Sequence, residues 1–181
     1  MTVRPRDILD FWFAAGPEKW FAKNDAFDAD VRRRFAETHG HAASGRLDAW
    51  AGDAQGMLAL ILVLDQFSRN LWRNDHRAFL HDGKALSLAD ESVRRRFDVE
   101  TPAPARKWFY MPYMHAEDFA AQERGLVYFA QRLDDPETMK FAVEHRDIIR
   151  RFGRFPHRNA ILGRETTPEE QSFLDEGGFV G

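Results

Sequence analysis

From Met57 to Leu64 the chain reads MLALILVL, eight apolar residues in a row. At helical pitch such a run is apolar on every face, so a helix made from it must be enclosed by other helices. Read as a strand it would need a partner, and no second strand-like run occurs in the sequence. It is also far too short to cross a bilayer, which takes about 20 residues. The chain is therefore expected to be all-α. Asp53 caps a central helix over Ala54 to Phe67, and the other elements pack around it as an irregular antiparallel helix stack.

Those elements can be placed in order. Pro5 opens a short helix carrying Ile8, Leu9, Phe11, Trp12 and Phe13, which Gly16-Pro17 ends. Phe27, Val31 and Phe35 recur at helical spacing in an amphipathic helix over Asp25 to Ala43. Asp75 is expected to cap a long helix through Phe79, Leu86, Ala89 and Val93 that ends near Arg94 to Arg96. Residues Asp98 to Pro104, with two prolines and no hydrophobic period, read as a linker. The aromatic stretch KWFYMPYM leads to His115, and Phe119, Leu126, Ala130 and Leu133 mark another helix. Asp135-Pro136-Glu137 opens a helix to Phe152 whose inward stripe runs through Phe141, Ala142, His145, Ile148, Ile149 and Phe152. A short helix over Pro156 to Leu162 and a capped one after Thr167 complete about seven to nine helices. No period of 20 to 50 residues repeats, and 181 residues with 16 phenylalanines are enough for one domain, 1–181, with its own core.

Composition narrows the function classes. The absence of cysteine excludes disulfides, thiol nucleophiles and thiolate-held metals. A net charge of −3 argues against a general nucleic-acid binder. The opening MTVRPRDILDFWF carries charges within its first apolar run and has no small-residue cleavage site, so no secretory signal or membrane anchor is read, and a cytoplasmic protein is expected.

Against that mildly acidic background, His145 to Arg164 holds six arginines and one acid. Two corners end in Arg-Asn after an apolar helix, Arg69-Asn70 and Arg158-Asn159. Each offers a guanidinium fork and an amide, which together could hold a carboxylate or phosphate by charge-assisted hydrogen bonds. His115, Glu117, Asp118 and Gln122 form a second polar group at a helix start. If the helices fold back on one another, His115 or His145 beside Asp118 or Asp65 is a base pair for proton transfer. Arg151, Arg154 and His157 complete the candidate set. No His-x-x-x-His, Glu-x-x-His, EF-hand or Gly-rich phosphate loop is present, so no metal and no cofactor is read from the sequence. Residues 165–181 carry five acids and no base, and are able to neutralise the arginines within the molecule.

The blocks ILDFWF, WFAKNDAFD, LILVLDQFSRNLWR, FYMPYMHAEDFAAQ and HRDIIRRFGRFPHRNAILGRETTPEEQSFL, with a GGF ending, resemble the bacterial domain-of-unknown-function family 924, in order, from about Asp7 to Phe179. The resemblance implies an all-helical, tetratricopeptide-like superhelix and no particular reaction. The family motifs fall on Arg69 and Asn70, on His115, Glu117 and Asp118, and on His145, Arg151, Arg154, His157, Arg158 and Asn159. Ser68 stands where the family pattern has proline.

The leading expectation is a polar pocket for a small anionic molecule. Arg69, Arg154 and Arg158 hold it, Asn70 and Asn159 orient it, and a histidine with an acid serves proton transfer. The rival is a module that presents a groove to a peptide or protein, and the third reading is a buried network that only fixes the helices. A concave buried cluster favours the pocket, and a shallow groove lined by exposed aromatics favours the module.

Overall fold

The computed structural model describes residues 3–179, and among them the ordered elements are helices and turns, with no strand. The helices of eight or more residues are α1 (Pro5–Ala15), α2 (Asp25–Ala43), α3 (Ala54–Ile61), α4 (Asp82–Arg94), α5 (Phe119–Arg132), α6 (Pro136–Phe152) and α7 (Pro168–Asp175). No helix among the described residues is long and apolar enough to cross a membrane.

α3 does not stop at Ile61. It passes through a π-helical turn at Leu62–Gln66 and resumes as α-helix over Phe67–Leu71. Every residue from Met57 to Leu64 is buried, as an all-round apolar helix demands. α1 and α4 pack on its first half and α2 on its last turns. Phenylalanines fill the space between: Phe11 stacks on Phe27 with centroids 5.2 Å apart, and Phe35 stacks on Phe67 at 5.2 Å. Entry to α3 demands glycine at position 56, where an added Cβ would lie 1.9 Å from the Trp50 carbonyl oxygen. That close approach lets the 3-10 turn Asp48–Gly52 lie flat against the helix.

Several expectations are corrected. Asp75 caps only the 3-10 turn His76–Ala78, and α4 starts at Asp82, because Phe79 to His81 form a further turn before it. Asp98 to Pro104 is not a solvated linker. Asp98 is fully buried, accepts from the Tyr110 hydroxyl at 2.7 Å and pairs with Arg132, which pins the segment to the core. Phe141 leaves the inward stripe and is exposed, whereas His145, one turn later, is buried. Pro156 to Leu162 forms a 3-10 turn over Pro156–Arg158 followed by turns, and no continuous helix.

α5 and α6 make an antiparallel hairpin. At its open end a second, small core gathers Ile148, Ile149 and Phe155 under Phe152, Phe173 and Phe179. Asp65, His115, His145, His157 and Arg158 lie between this small core and the π turn of α3.

Candidate functional site

The π turn is where the central helix changes character. Its wider i to i+5 bonding, seen in Phe67 N donating to Leu62 O, inserts a residue and turns Asp65 away from the register of the preceding run. Asp65 is fully buried. A lone carboxylate there would be too costly to ionise, so its partners decide its state. Burial pushes the Asp65 carboxyl up, but the His115 and Arg69 charges and the bonds from His115 and Gln66 outweigh it and hold it below the usual carboxylate range. With Asp65 ionised, His115 donates Nδ1–H to Asp65 Oδ1 at 2.7 Å. That fixes the tautomer and leaves Nε2 as the nitrogen without a protein partner among the described residues.

His115 ends the short helix Met111–His115, and the loop after it is clamped on both sides. Gln122 is buried and donates Nε2–H to Met114 O at 2.7 Å and to Ala116 O at 2.9 Å, straddling the histidine. Glu117 accepts from the Phe155 backbone N–H at 2.7 Å and from Arg164 Nη1 and Nη2 at 2.6 and 2.9 Å. These bonds outweigh the upward push of burial and keep the Glu117 carboxyl below its ordinary range. They also tie the His115 loop to the turn that carries His157 and Arg158.

Arg69 and Arg158, from the two Arg-Asn corners, meet on one carboxylate. Arg69 donates to Asp82 Oδ1 at 2.5 Å and Oδ2 at 2.9 Å, with a further bond to Ala78 O at 2.6 Å. Arg158 reaches the same Asp82 Oδ2 by one bond of 3.3 Å. Its guanidinium carbon lies 4.4 Å from the ring centres of both Phe79 and Phe155. Arg158 is only 6% exposed, and its Nε is buried with no partner among the described residues. Burial and the Arg69 charge, against Asp82, Glu117 and Asp65, pull its guanidinium down to about 10. It is the least satisfied cation of the cluster.

Two more imidazoles adjoin it. His145 Nδ1 donates to Phe141 O at 2.8 Å, as an i to i−4 bond inside α6. Burial, the His115 charge and nearby Arg158 and His157 lower it to about 3, so it stays neutral. His157 is lowered to about 4 by burial and Arg158, and its Nδ1 is buried without a partner among the described residues.

The remaining candidates are placed elsewhere or serve the scaffold. Asn70 turns away and donates to Asp28 Oδ1 at 2.8 Å, alongside Arg73. Asn159 donates to Glu170 at 3.2 Å and accepts from Arg164 Nε at 3.0 Å. Arg154 forms a two-pronged pair with buried Glu170 at 2.6 and 2.8 Å, and Arg151 pairs with Glu169 at 2.9 Å. The acidic tail thus neutralises these two arginines. Asp118 is the N-cap of α5, accepting from Ala121 N at 2.6 Å, and is not the acid that meets a histidine. Of the residues expected to bind, then, the corner amides, Arg151 and Arg154 each face a protein partner outside the Asp65–His115 pair.

Asp82 and Arg164, which hold the cluster together, carry no sequence signal of their own. Asp82 looks like a helix-start acid 13 residues beyond Arg69, and Arg164 looks like one more surface arginine. Two surface clefts of about 530 and 500 Å³ lie away from the cluster, one beside Asp28 and Arg73 and one between Asp10 and Arg34. Among the described residues no group of three or more His, Asp or Glu side chains has a metal-holding arrangement.

With this geometry in hand, the chain can be set beside known proteins. A family described as "Bacterial protein of unknown function (DUF924)" matches residues 8–178. The solved structure of a protein of unknown function from Agrobacterium tumefaciens is 47% identical, with a TM-score of 0.91 over 96% of this chain and 97% of that one. No curated protein matches.

Proposed function

The chain belongs to this bacterial DUF924 family of unknown function, and we propose that it binds a small carboxylate or phosphate at Arg158, within reach of a general base formed by His115 and Asp65. The observation that carries the reading is the contrast between Arg158 and the other arginines. Arg69, Arg151, Arg154 and Arg164 each give a carboxylate at least one bond of 2.9 Å or shorter. Arg158 is just as desolvated as a structural arginine but gives one long bond and keeps Nε unpaired. An incoming anion would supply the missing acceptor, and a charge-assisted bond is worth most where water is excluded.

His115 supplies the chemistry. Its Nε2 can take a proton from a hydroxyl or acidic carbon of the bound molecule, and the imidazolium so formed is stabilised by Asp65 on the opposite nitrogen. His145, neutral and with Nδ1 occupied, offers Nε2 as an acceptor and cannot compete with Arg158 for the anion. The rival reading, a groove for a peptide, is not favoured: Asp65, His145 and Arg158 are buried.

Titration calorimetry with phosphate and with malonate tests the proposal. Binding to the wild-type protein, and none to Arg158→Met, is expected. Equal heats from both proteins would place any anion elsewhere, and the proposal would fall.

A further inference from the structure

The two imidazoles beside Arg158 belong to a closed set of four rings. His145 lies 5.5 Å from Phe155 and 4.5 Å from Phe179, and His157 lies 5.6 Å from Phe155 and 5.2 Å from Phe179. Each histidine is therefore sandwiched between the same two phenyl rings. At those spacings the rings are in contact, and the set has no room for a further group while Phe179 is in place.

The two phenyl rings differ in how they are held. Phe155 is fully buried, its N–H is bound by Glu117, and the Arg158 guanidinium lies over its ring. It is a fixed floor. Phe179 is only partly buried and no side-chain hydrogen bond reaches its backbone among the described residues. It arrives from α7 over Gly177, whose φ is +83°, and Gly178, where an added Cβ would sit 2.5 Å from the Phe173 carbonyl oxygen and 2.6 Å from its ring. The last described tie is Gly178 N donating to Phe173 O at 2.9 Å. Two glycines fold the tail sharply back onto the pocket, and apolar and ring contacts with the small core then keep Phe179 there.

We propose that Phe179 occupies a ring subsite of the anion pocket and acts as a displaceable lid, so that the fitting ligand class is an aromatic carboxylate, its ring replacing Phe179 over Phe155 and its carboxylate on Arg158. This rests on the anion-binding reading above. The unpartnered His157 Nδ1 and Arg158 Nε lie in this same cluster, and both gain from a bound acid. While Phe179 is in place, apparent affinity for a ligand that needs the ring subsite is reduced by the fraction of molecules that are open, whereas a small acid needs only Arg158.

Benzoate and acetate, titrated into wild type, Phe179→Ala and Phe179→Leu, separate the claims. Benzoate is expected to bind both variants about tenfold more tightly than wild type, as removal of a competing ring contact implies, while acetate affinity stays the same. Benzoate should also raise amide exchange at residues 177–179 of the wild-type protein. Equal benzoate affinity in all three proteins, with acetate still bound, overturns the ring subsite and leaves the anion site standing. No binding of either acid to any of them overturns both. If Phe179→Ala melts with the whole fold, Phe179→Leu decides, and unchanged benzoate affinity there rejects the lid.

Discussion

Replacing Arg158 by methionine separates a ligand-binding arginine from a structural one by the sign of the stability change. Depression of the guanidinium from 12.5 to about 10 means that folding with the group charged costs about 3 kcal/mol at neutral pH, at 1.36 kcal/mol per pKa unit. Methionine removes that cost. It also removes one 3.3 Å bond, worth about 1 kcal/mol, and two guanidinium–ring contacts worth about 1 kcal/mol each. Asp82 is not stranded, because Arg69 still binds both its oxygens. The terms leave the variant within about 1 kcal/mol of wild type or slightly more stable, which is at most about 4 °C in the melting midpoint for a chain of this size. Arg69→Met is the control. It leaves Asp82 with a single long partner and should cost about 3 to 5 kcal/mol. Thermal melts monitored by circular dichroism read both. A loss of about 3 kcal/mol or more in Arg158→Met, equal to that of Arg69→Met, would refute the argument that Arg158 is under-satisfied.

Acid stability should track the buried histidines. His39 and His157 fall to about 4 and His145 to about 3, so the unfolded chain takes up protons below its ordinary histidine pKa of about 6.5 while the folded one does not. Stability is therefore complete above pH 6.5 and falls by about 4 kcal/mol per pH unit between roughly pH 5.5 and 4.5. Urea unfolding at stepped pH checks this, and a flat profile would contradict it. Gly56→Ala drives a Cβ to 1.9 Å from a backbone carbonyl, which cannot yield without moving the Asp48–Gly52 turn, and should cost more than about 3 kcal/mol in a urea melt. Glu170→Gln weakens the pair with Arg154 and the cap at Thr167, so amide exchange should rise across α7 while residues 54–71 stay protected. Exchange at α7 unchanged from wild type would mean that the tail helix is held by its apolar face alone.

The helical elements were legible wherever a cap and a hydrophobic period agreed. α2 spans Asp25–Ala43 as its hydrophobic period requires, and α6 opens at Asp135-Pro136 and runs to Phe152 as its cap and stripe require. The reading failed where tertiary contacts decide. Nothing local distinguishes an Asp75 that caps a long helix from one that caps a single turn, and the burial of Asp98 depends on Tyr110 and Arg132, the latter 34 residues away. The π turn was invisible, since its sequence continues a helical run without a break. The site follows the same division. Asp65, His115, His145 and Arg158 could be singled out as polar side chains set beside apolar helices. That Asp82 joins the two corner arginines, while both asparagines leave, could not, because a shared carboxylate is a property of the folded arrangement and every arginine in the segment looks alike. Ser68 shows the limit in another way: in place of a family proline it donates to Leu64 O at 2.5 Å and meets His39 Nε2 at 2.9 Å, contacts that no proline could make.

The most direct test is a nitrogen-detected NMR spectrum of the histidine side chains during a phosphate titration of wild type and Arg158→Met. In its neutral form His115 is predicted to carry its proton on Nδ1, bound to Asp65, and its Nε2 signal to move as phosphate is added to wild type and stay still in Arg158→Met. A proton found on Nε2, or a wild-type His115 signal indifferent to phosphate, would contradict the pairing of a base with an anion site.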